Sequence, residues 1–177
     1  MVAALEVRGD LARIQRAMRE EPKIAARAAL AAVNKTVALA QTAGVRELAR
    51  AKRLPIRALR ARTRILKATR ARLSAKLITL TAGMPIDRLP FRQGRKGITA
   101  AGRKFASAFV YQRAKPVIFE RRIIGGKRAG RLPIDRVKVE INPEADRLFT
   151  VAVARAQGRD LPRLFERELV YRLGRRG

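Results

Sequence analysis

The sequence contains no cysteine, no histidine and no tryptophan, and aromatic residues make up only 5% of its 177 positions. The first two absences exclude disulfides, Cys-based zinc sites, Cys nucleophiles and every triad that needs a His. Because aromatic side chains are so few, alanine, leucine, isoleucine and valine have to fill the core. Small side chains of this kind favour helices that pack closely against each other.

Acidic residues are also scarce, since 14 Asp+Glu stand against 42 Lys+Arg and leave a formal net charge of +28. Repulsion on that scale opposes compaction unless something negative is nearby: nucleic acid, an acidic protein surface or an anionic membrane. A hydrophobic fraction of 47% excludes a disordered basic tail. No run approaches the roughly 20 apolar residues that span a bilayer, and we expect no signal peptide.

The hydrophobic pattern predicts a single α+β domain over residues 1–177, with antiparallel strands between helices. Residues 1–8 favour a short strand, and residues 10–20 a short helix capped by Asp10. A long N-terminal helix, of roughly 45 Å, is expected from Pro22 until Leu54-Pro55 ends it. A short helix should then begin at Pro55.

Alternating polar and apolar residues predict a central antiparallel sheet of about four strands, at 63–83, 103–114, 115–124 and 134–141. The segment 84–97 is expected to be a connection rich in proline and glycine. Asn142-Pro143 should start a C-terminal helix that Gly158 interrupts, and Asp160 is expected to cap its last part.

Cations are concentrated in the middle of the chain, because Asp87 is the only acid between Glu47 and Glu120. Residues 48–86 alone carry eleven Lys and Arg residues, several at a spacing that would form one stripe on a helix. Basic loops near 92–104 and 121–131 add to this charge. We therefore predict a surface that faces phosphate or an acidic neighbour. The predicted DNA or partner contacts are Arg53, Arg57, Arg60, Arg64, Arg95, Lys96, Arg103, Lys104, Arg122, Lys127, Arg128 and Arg131.

The stretch "FERRIIGGKRAGRLPIDRV" contains a glycine pair among cations, but its spacing excludes a Walker phosphate loop. Such a loop needs a glycine where Arg121 stands and a Ser or Thr where Arg128 stands. We instead predict a strand, a basic tip and a return strand, with Phe119 and Ile134 anchored in the sheet. The tip would face a neighbouring subunit or DNA.

Other residues that could carry catalysis are poorly supported. Glu120, Asp135 and Glu140 lie on predicted strands, but no compact acidic set for Mg²⁺ stands out. Tyr111 and Tyr171 lack the supporting residues of a strand-transfer nucleophile. We expect no catalytic residue, no cofactor and no metal, so the chain is predicted not to be an enzyme.

Five short elements, taken in order, resemble the minor tail protein Z family of long-tailed phages and prophages. The resemblance covers about residues 25–136. The matching residues are Ala29, Leu30, Asn34 and Lys35 in the long helix, Leu54, Pro55 and Arg57 after it, Ala108 and Phe109 in a strand, Phe119 and Arg121 in the next, and Leu132 to Ile134.

The resemblance implies a structural virion protein of the neck, which joins the tail to the DNA-filled head as part of a homo-oligomeric ring. It implies neighbouring head-connector and tail-terminator proteins as partners, double-stranded DNA in the channel as a further contact, and no membrane. It also implies location in the virion, after assembly in the host cytoplasm. The alternatives are a free nucleic-acid-binding protein that uses the basic 50–76 block and, third, a DNA-processing enzyme.

Overall fold

The computed structural model describes residues 2–7, 22–111, 116–121, 123–124, 127–128 and 134–174. Within these ranges the chain is α+β, as predicted, with a long N-terminal helix and a helical C-terminal segment. The short helix predicted at residues 10–20 lies outside the described residues. The helices are α1 (Pro22–Lys52), α2 (Ile56–Arg60), α3 (Glu144–Arg155) and α4 (Leu161–Leu173), with a 3₁₀ turn at Ile86–Arg88 and a π-helical turn at Ala156–Asp160.

Helix α1 buries a face made almost entirely of alanine and valine, so the neighbouring helices approach it closely. Its fully buried residues include Ala28, Ala32, Val33, Val37 and Ala40. At 31 residues and about 1.5 Å per residue it is roughly 46 Å long. The length and the apolar face agree with the prediction.

Helices α3 and α4 pack antiparallel along α1. Ion pairs show this direction: Lys52 pairs with Glu144 at the start of α3, and Lys35, a further 17 positions back along α1, pairs with Glu168 in α4. The π-helical turn joins the two C-terminal helices just before Pro162. In a regular α-helix the proline ring would collide with the carbonyl four residues earlier, which here belongs to the wider turn.

Helices α1 and α3 are in close contact at Gly44 and Phe149. A Cβ placed on Gly44 would lie 2.5 Å from a ring carbon of Phe149, which is a severe overlap. Phe149 is 1% exposed and has one of the largest fully buried side chains in the core. Gly44 therefore does not break the helix; its missing side chain makes room for the ring.

In the part of the chain that the structure describes, the strands form five small antiparallel sheets, so the prediction of one central sheet of about four strands was wrong. They are β1 (Val2–Val7), β2 (Thr63–Leu66), β3 (Ala75–Leu80), β4 (Met84–Pro85), β5 (Phe91–Gly94), β6 (Gly97–Ala100), β7 (Arg103–Phe105), β8 (Ala108–Tyr111), β9 (Val117–Arg121), β10 (Ile123–Ile124), β11 (Lys127–Arg128), β12 (Ile134–Arg136) and β13 (Lys138–Val139). The sheet orders are β1-β3-β2, β5-β6-β7, β12-β9-β8, β13-β4 and β10-β11.

All four predicted strands are each divided in two. Residues 63–83 contain β2 and β3, which pair with each other across the loop 67–74. The other three are divided between different sheets: residues 103–114 contain β7 and β8, residues 115–124 contain β9 and β10, and residues 134–141 contain β12 and β13. The segment 84–97, predicted as a connection, contains β4, the 3₁₀ turn and β5. Strands this short leave too little alternation for the sequence to reveal them.

The C-terminal helical segment begins and ends close to the predicted positions, but Asp160 does not cap it. Asp160 makes no side-chain capping hydrogen bond, and its carboxylate instead pairs with Arg159 at 3.3 Å. The peptide bond between Asn142 and Pro143 is cis, and α3 begins directly after it.

Candidate anion-binding face

The C-terminal end of α1 is closed by a Schellman-type turn with an arginine in the left-handed position. Arg53 has φ 55°, and the Leu54 amide donates to the Ala49 carbonyl at 3.0 Å. Glycine is the usual residue at this position because it has no Cβ to collide with the backbone. The Arg53 side chain is exposed.

Arg53 lies against the turn between β6 and β7. A Cβ on Gly102 would be 3.5 Å from Cδ of Arg53 and 3.6 Å from its Nη1. Ala101 and Gly102 have φ values of 51° and 69°, typical of a tight hairpin turn. The fold thus brings the helix end and the turn before Arg103 together, although 50 positions separate the two arginines in sequence.

The predicted single helical stripe of Arg53, Arg57, Arg60 and Arg64 does not exist. Arg57 and Arg60 lie on α2, but Arg53 terminates α1 and Arg64 lies on strand β2. The helix ends at Arg60, where the chain turns through Ala61 into β2. All four side chains are exposed, and Arg60 donates to the Thr42 hydroxyl at 3.3 Å. They belong to one region of the surface but to three elements.

The sheet β5-β6-β7 and its turns carry four further residues of the predicted set, two in the tip between β5 and β6 and two on β7. Arg95 and Lys96 form the two-residue tip between Gly94 and Gly97, which pair with each other. The turn beside Arg53 is at the opposite end of β6, about 10 Å away for a four-residue strand. The predicted residues Arg103 and Lys104 lie on β7 near that second turn, and are exposed.

One residue of this surface was missing from the predicted set. Arg92, Thr99 and Lys104 are cross-strand partners in one row, so their side chains share the open face of the sheet. The opposite face is buried through Ile98 and Ala100. Residues 91–94, FRQG, do not alternate between apolar and polar residues, so the sequence carries no strand signal that would have placed Arg92 on this face.

The predicted contacts near 121–131 are only partly described. Arg122 and Arg131 lie outside the described residues. Lys127 and Arg128 form strand β11, paired with Ile124 and Ile123. The return strand was predicted correctly, since Ile134 is the partner of Arg121 and β12 pairs with β9. Whether this hairpin contacts DNA or a subunit stays a prediction.

The acids among these sheets are too few to neutralise the charge of the cations. Asp87, the only acid between Glu47 and Glu120 in the sequence, accepts hydrogen bonds from Nε and Nη2 of Arg136 at 3.0 and 2.6 Å. This fork raises the pKa of Arg136 through its hydrogen bond with Asp87. Burial, together with repulsion from Arg88, lowers the pKa of Arg62. Unfavourable surroundings for an arginine are expected where acids are so few.

The residues considered for catalysis are not assembled into a larger set. Glu120 and Asp135 are direct partners across β9 and β12. Within the described ranges, no group of three or more candidate ligands could hold a metal ion. Tyr111 is 56% exposed and packs edge-on against Phe119, with ring centroids 6.2 Å apart.

Two residues of α1 that carry the family resemblance, Asn34 and Lys35, have structural contacts. The Asn34 side chain accepts from the Ala68 amide at 2.8 Å and donates to the Ala68 carbonyl at 3.3 Å. Lys35 donates to the buried carboxylate of Glu168. Asn34 fixes the loop 67–74, and Lys35 fixes α4, so the two residues connect α1 with both other parts of the fold.

Comparison with known proteins identifies no matching family model, no similar curated protein and no similar solved structure. Across the described helices, none is long and apolar enough to cross a membrane.

Proposed function

We propose that the chain is a structural protein of a phage neck, which joins tail to head within an oligomeric ring and engages an anionic partner through its basic face. The observation that carries the proposal is the uncompensated charge of that face. All eight predicted contacts with described side chains are exposed, and the acid of the central stretch, Asp87, is already bound by Arg136. A net charge of +28 is repeated in every copy of a ring, so an anion must lie against it.

The location in a neck rests on the ordered resemblance described above, and the architecture is compatible with it. Helices α1, α3 and α4 pack together and are called the helical layer below. This layer gives a support, while the sheet β5-β6-β7 presents Arg95 and Lys96 at a tight exposed tip. Neighbouring head-connector or tail-terminator proteins with acidic surfaces, and DNA in the channel, are the partners that this face would suit. No catalytic step is part of the proposal.

Two measurements test this function. Light scattering or analytical ultracentrifugation of the purified chain, alone and with duplex DNA, should detect a ring-sized oligomer. Mass spectrometry of purified tailed particles from a producing strain should find the chain in a few copies per particle. A chain that stays monomeric under all conditions and never enters particles would contradict the proposal.

The second candidate is a free nucleic-acid-binding protein, and the contact between Arg53 and the Gly102 turn favours it. This contact places Arg53, at one end of the basic 50–76 block, beside the turn that leads into β7. Binding of duplex DNA by a monomer, with affinity that falls steeply as salt rises, would favour this candidate over the ring. The two candidates therefore differ in oligomeric state rather than in charge.

A further inference from the structure

We propose that the loop between β2 and β3 contains a site for one phosphate group of a nucleic-acid backbone. A cleft of about 170 Å³ opens there. It is lined by Leu66, Lys67, Thr69, Arg72, Ser74 and Lys76. Three cations and two hydroxyls around one small cleft supply the donors that phosphate oxygens accept.

The size of the cleft limits its ligand. Pockets for drug-sized molecules usually measure about 300–1,000 Å³, so about 170 Å³ cannot hold a nucleotide with its base. It can hold a single phosphate. A backbone phosphate presents only that group and leaves sugar and base outside, which makes nucleic acid a suitable source.

The loop is held in shape before any ligand binds. Thr69 and Arg72 exchange two backbone hydrogen bonds, of 2.9 and 3.1 Å, which close the turn. Asn34 holds Ala68 by both its amide and its carbonyl. The Arg72 guanidinium donates through Nε to the Ser74 hydroxyl at 3.1 Å, which restrains its direction and leaves its terminal nitrogens available. Preorganised donors lose little conformational entropy when they bind.

Two of the three charges in this cleft have no carboxylate partner in the part of the chain whose side chains the structure describes. There, no ion pair involves Lys67 or Arg72, while Lys76 lies directly opposite Glu6 across strands β1 and β3. Lys67 and Arg72 are exposed, whereas Lys76 is half-buried on β3. Three cations that share a cleft repel one another, and a bound phosphate would relieve that repulsion. This site deepens the proposed function, because it assigns a nucleic-acid contact to residues outside the predicted set.

The test compares two triple variants with the same loss of charge. One removes the cleft cations, Lys67→Gln, Arg72→Gln and Lys76→Gln. The other removes three exposed arginines from the helical layer, Arg147→Gln, Arg163→Gln and Arg167→Gln. Binding of a labelled 20-base-pair duplex is measured by fluorescence anisotropy at several salt concentrations, and thermal unfolding confirms that each variant is folded.

We expect the cleft variant to lose about tenfold or more in affinity, and its plot of log affinity against log salt to become shallower by about 1, which is the value for one phosphate contact. The helical-layer variant should lose clearly less and keep its slope. Equal losses would overturn the site, because they would show that only total charge matters. If the cleft variant does not fold, the single change Ser74→Ala, which releases Arg72, should lower affinity by a smaller factor, and no loss at all would overturn the site.

Inorganic phosphate distinguishes the two possible sources of the phosphate group in the cleft, a nucleic-acid backbone and a free phosphate ion. If millimolar phosphate raises the melting temperature of the parent chain but not of the cleft variant, while both bind DNA equally, the cleft is a free-anion site and the assignment to nucleic acid is overturned. Ring assembly is measured separately on the same variants. A variant that assembles but loses DNA affinity supports the site, whereas a parent chain that never assembles contradicts only the proposed function.

Discussion

The helical layer and the sheets of this protein differ in how many of their charged side chains form ion pairs. Between the helices, the scarce acids form ion pairs with cations. Glu168 lies between Lys35 and Arg172. Glu144 pairs with Lys52 at 2.6 Å, and Glu47 of α1 pairs with Arg155 at 3.5 Å. Outside this layer, Arg136 of β12 pairs with Asp87, but the exposed cations of the predicted set on α2, β2 and β7 have no carboxylate partner among the residues whose side chains the structure describes. The described ion pairs are therefore more numerous between the helices than among the sheets, and the surface that we propose for binding is the one with fewer of them.

The packing of the helical layer should be most sensitive at Gly44. Replacing it with valine places side-chain atoms inside the ring of Phe149, so we expect a loss of about 3 kcal/mol in the free energy of unfolding. Ala38→Val, at an exposed position of the same helix, should cost only about 0.5 kcal/mol. Urea unfolding of both variants measures the difference. Similar losses would show that the contact with Phe149 does not limit the packing.

The ion pairs of the helical layer should be tested next at Glu168. Its hydrogen bond from Lys35 lowers the pKa of this carboxyl below its ordinary value of 4.5, with smaller contributions from Arg172. The folded pKa is therefore below the unfolded one. The stabilisation is fully present above about pH 4.5 and is lost as pH falls through the lower, folded pKa.

We expect Glu168→Gln to cost about 1–3 kcal/mol at pH 7, because a buried charge-assisted hydrogen bond is lost. The variant should also lose part of the fall in stability that the parent shows below pH 4.5. Thermal unfolding from pH 7 to pH 3 measures both effects. An unchanged pH profile would mean that Glu168 is not the group that titrates, and Arg159→Gln, at an exposed pair, is the matched control.

Arg53 lies between the helical layer and the sheets, and its replacement should raise the stability of the fold while it lowers affinity for DNA. Glycine removes the cost of the left-handed backbone, so Arg53→Gly should stabilise the fold by about 1 kcal/mol. The same change removes a cation from the basic face and should lower affinity for duplex DNA. Unfolding and anisotropy measurements on one variant test both. A gain in stability without loss of affinity would show that Arg53 does not contact the partner.

The smallest effect on stability is expected for two exposed arginines outside the helical layer, Arg57 on α2 and Arg64 on β2. Arg57→Gln with Arg64→Gln should change the free energy of unfolding by no more than about 0.5 kcal/mol, in either direction. Because repulsion between cations is reduced, the melting temperature of this variant should depend less on salt than that of the parent. A clear destabilisation would mean that these cations have stabilising partners and would weaken the contrast between the regions.

The sequence predicted best those elements in which apolar residues recur regularly over many residues. Helix α1 repeats its apolar face over eight turns, and the C-terminal helices repeat theirs up to Leu173, so both were found with nearly correct bounds. The return from β9 to β12 was predicted because Phe119 and Ile134 flank a basic tip. These features depend on local spacing alone.

The remaining features depend on residues that are far apart in sequence. Strands of two to four residues show at most two alternations, and nothing local says which sheet each one joins. The left-handed Arg53 contradicts the usual preference for glycine. The sequence shows that the cations of the cleft belong to a basic stretch. It does not show that they line one cleft, because this depends on how the loop 67–74 turns back onto β3. The basic face was thus predictable in composition, and its geometry was not.

The antiparallel packing of α3 and α4 on α1 has a consequence for the order of events on the ribosome. Lys35 and Glu168 are 133 residues apart in sequence, and the partners Glu47 and Arg155 are 108 apart. The face of α1 that packs against α3 and α4 therefore stays uncovered until residues far along the chain have been translated. The contacts of α1 with residues 63–74 can form earlier, and until α3 and α4 arrive the rest of this alanine-rich face is a surface that a chaperone could bind.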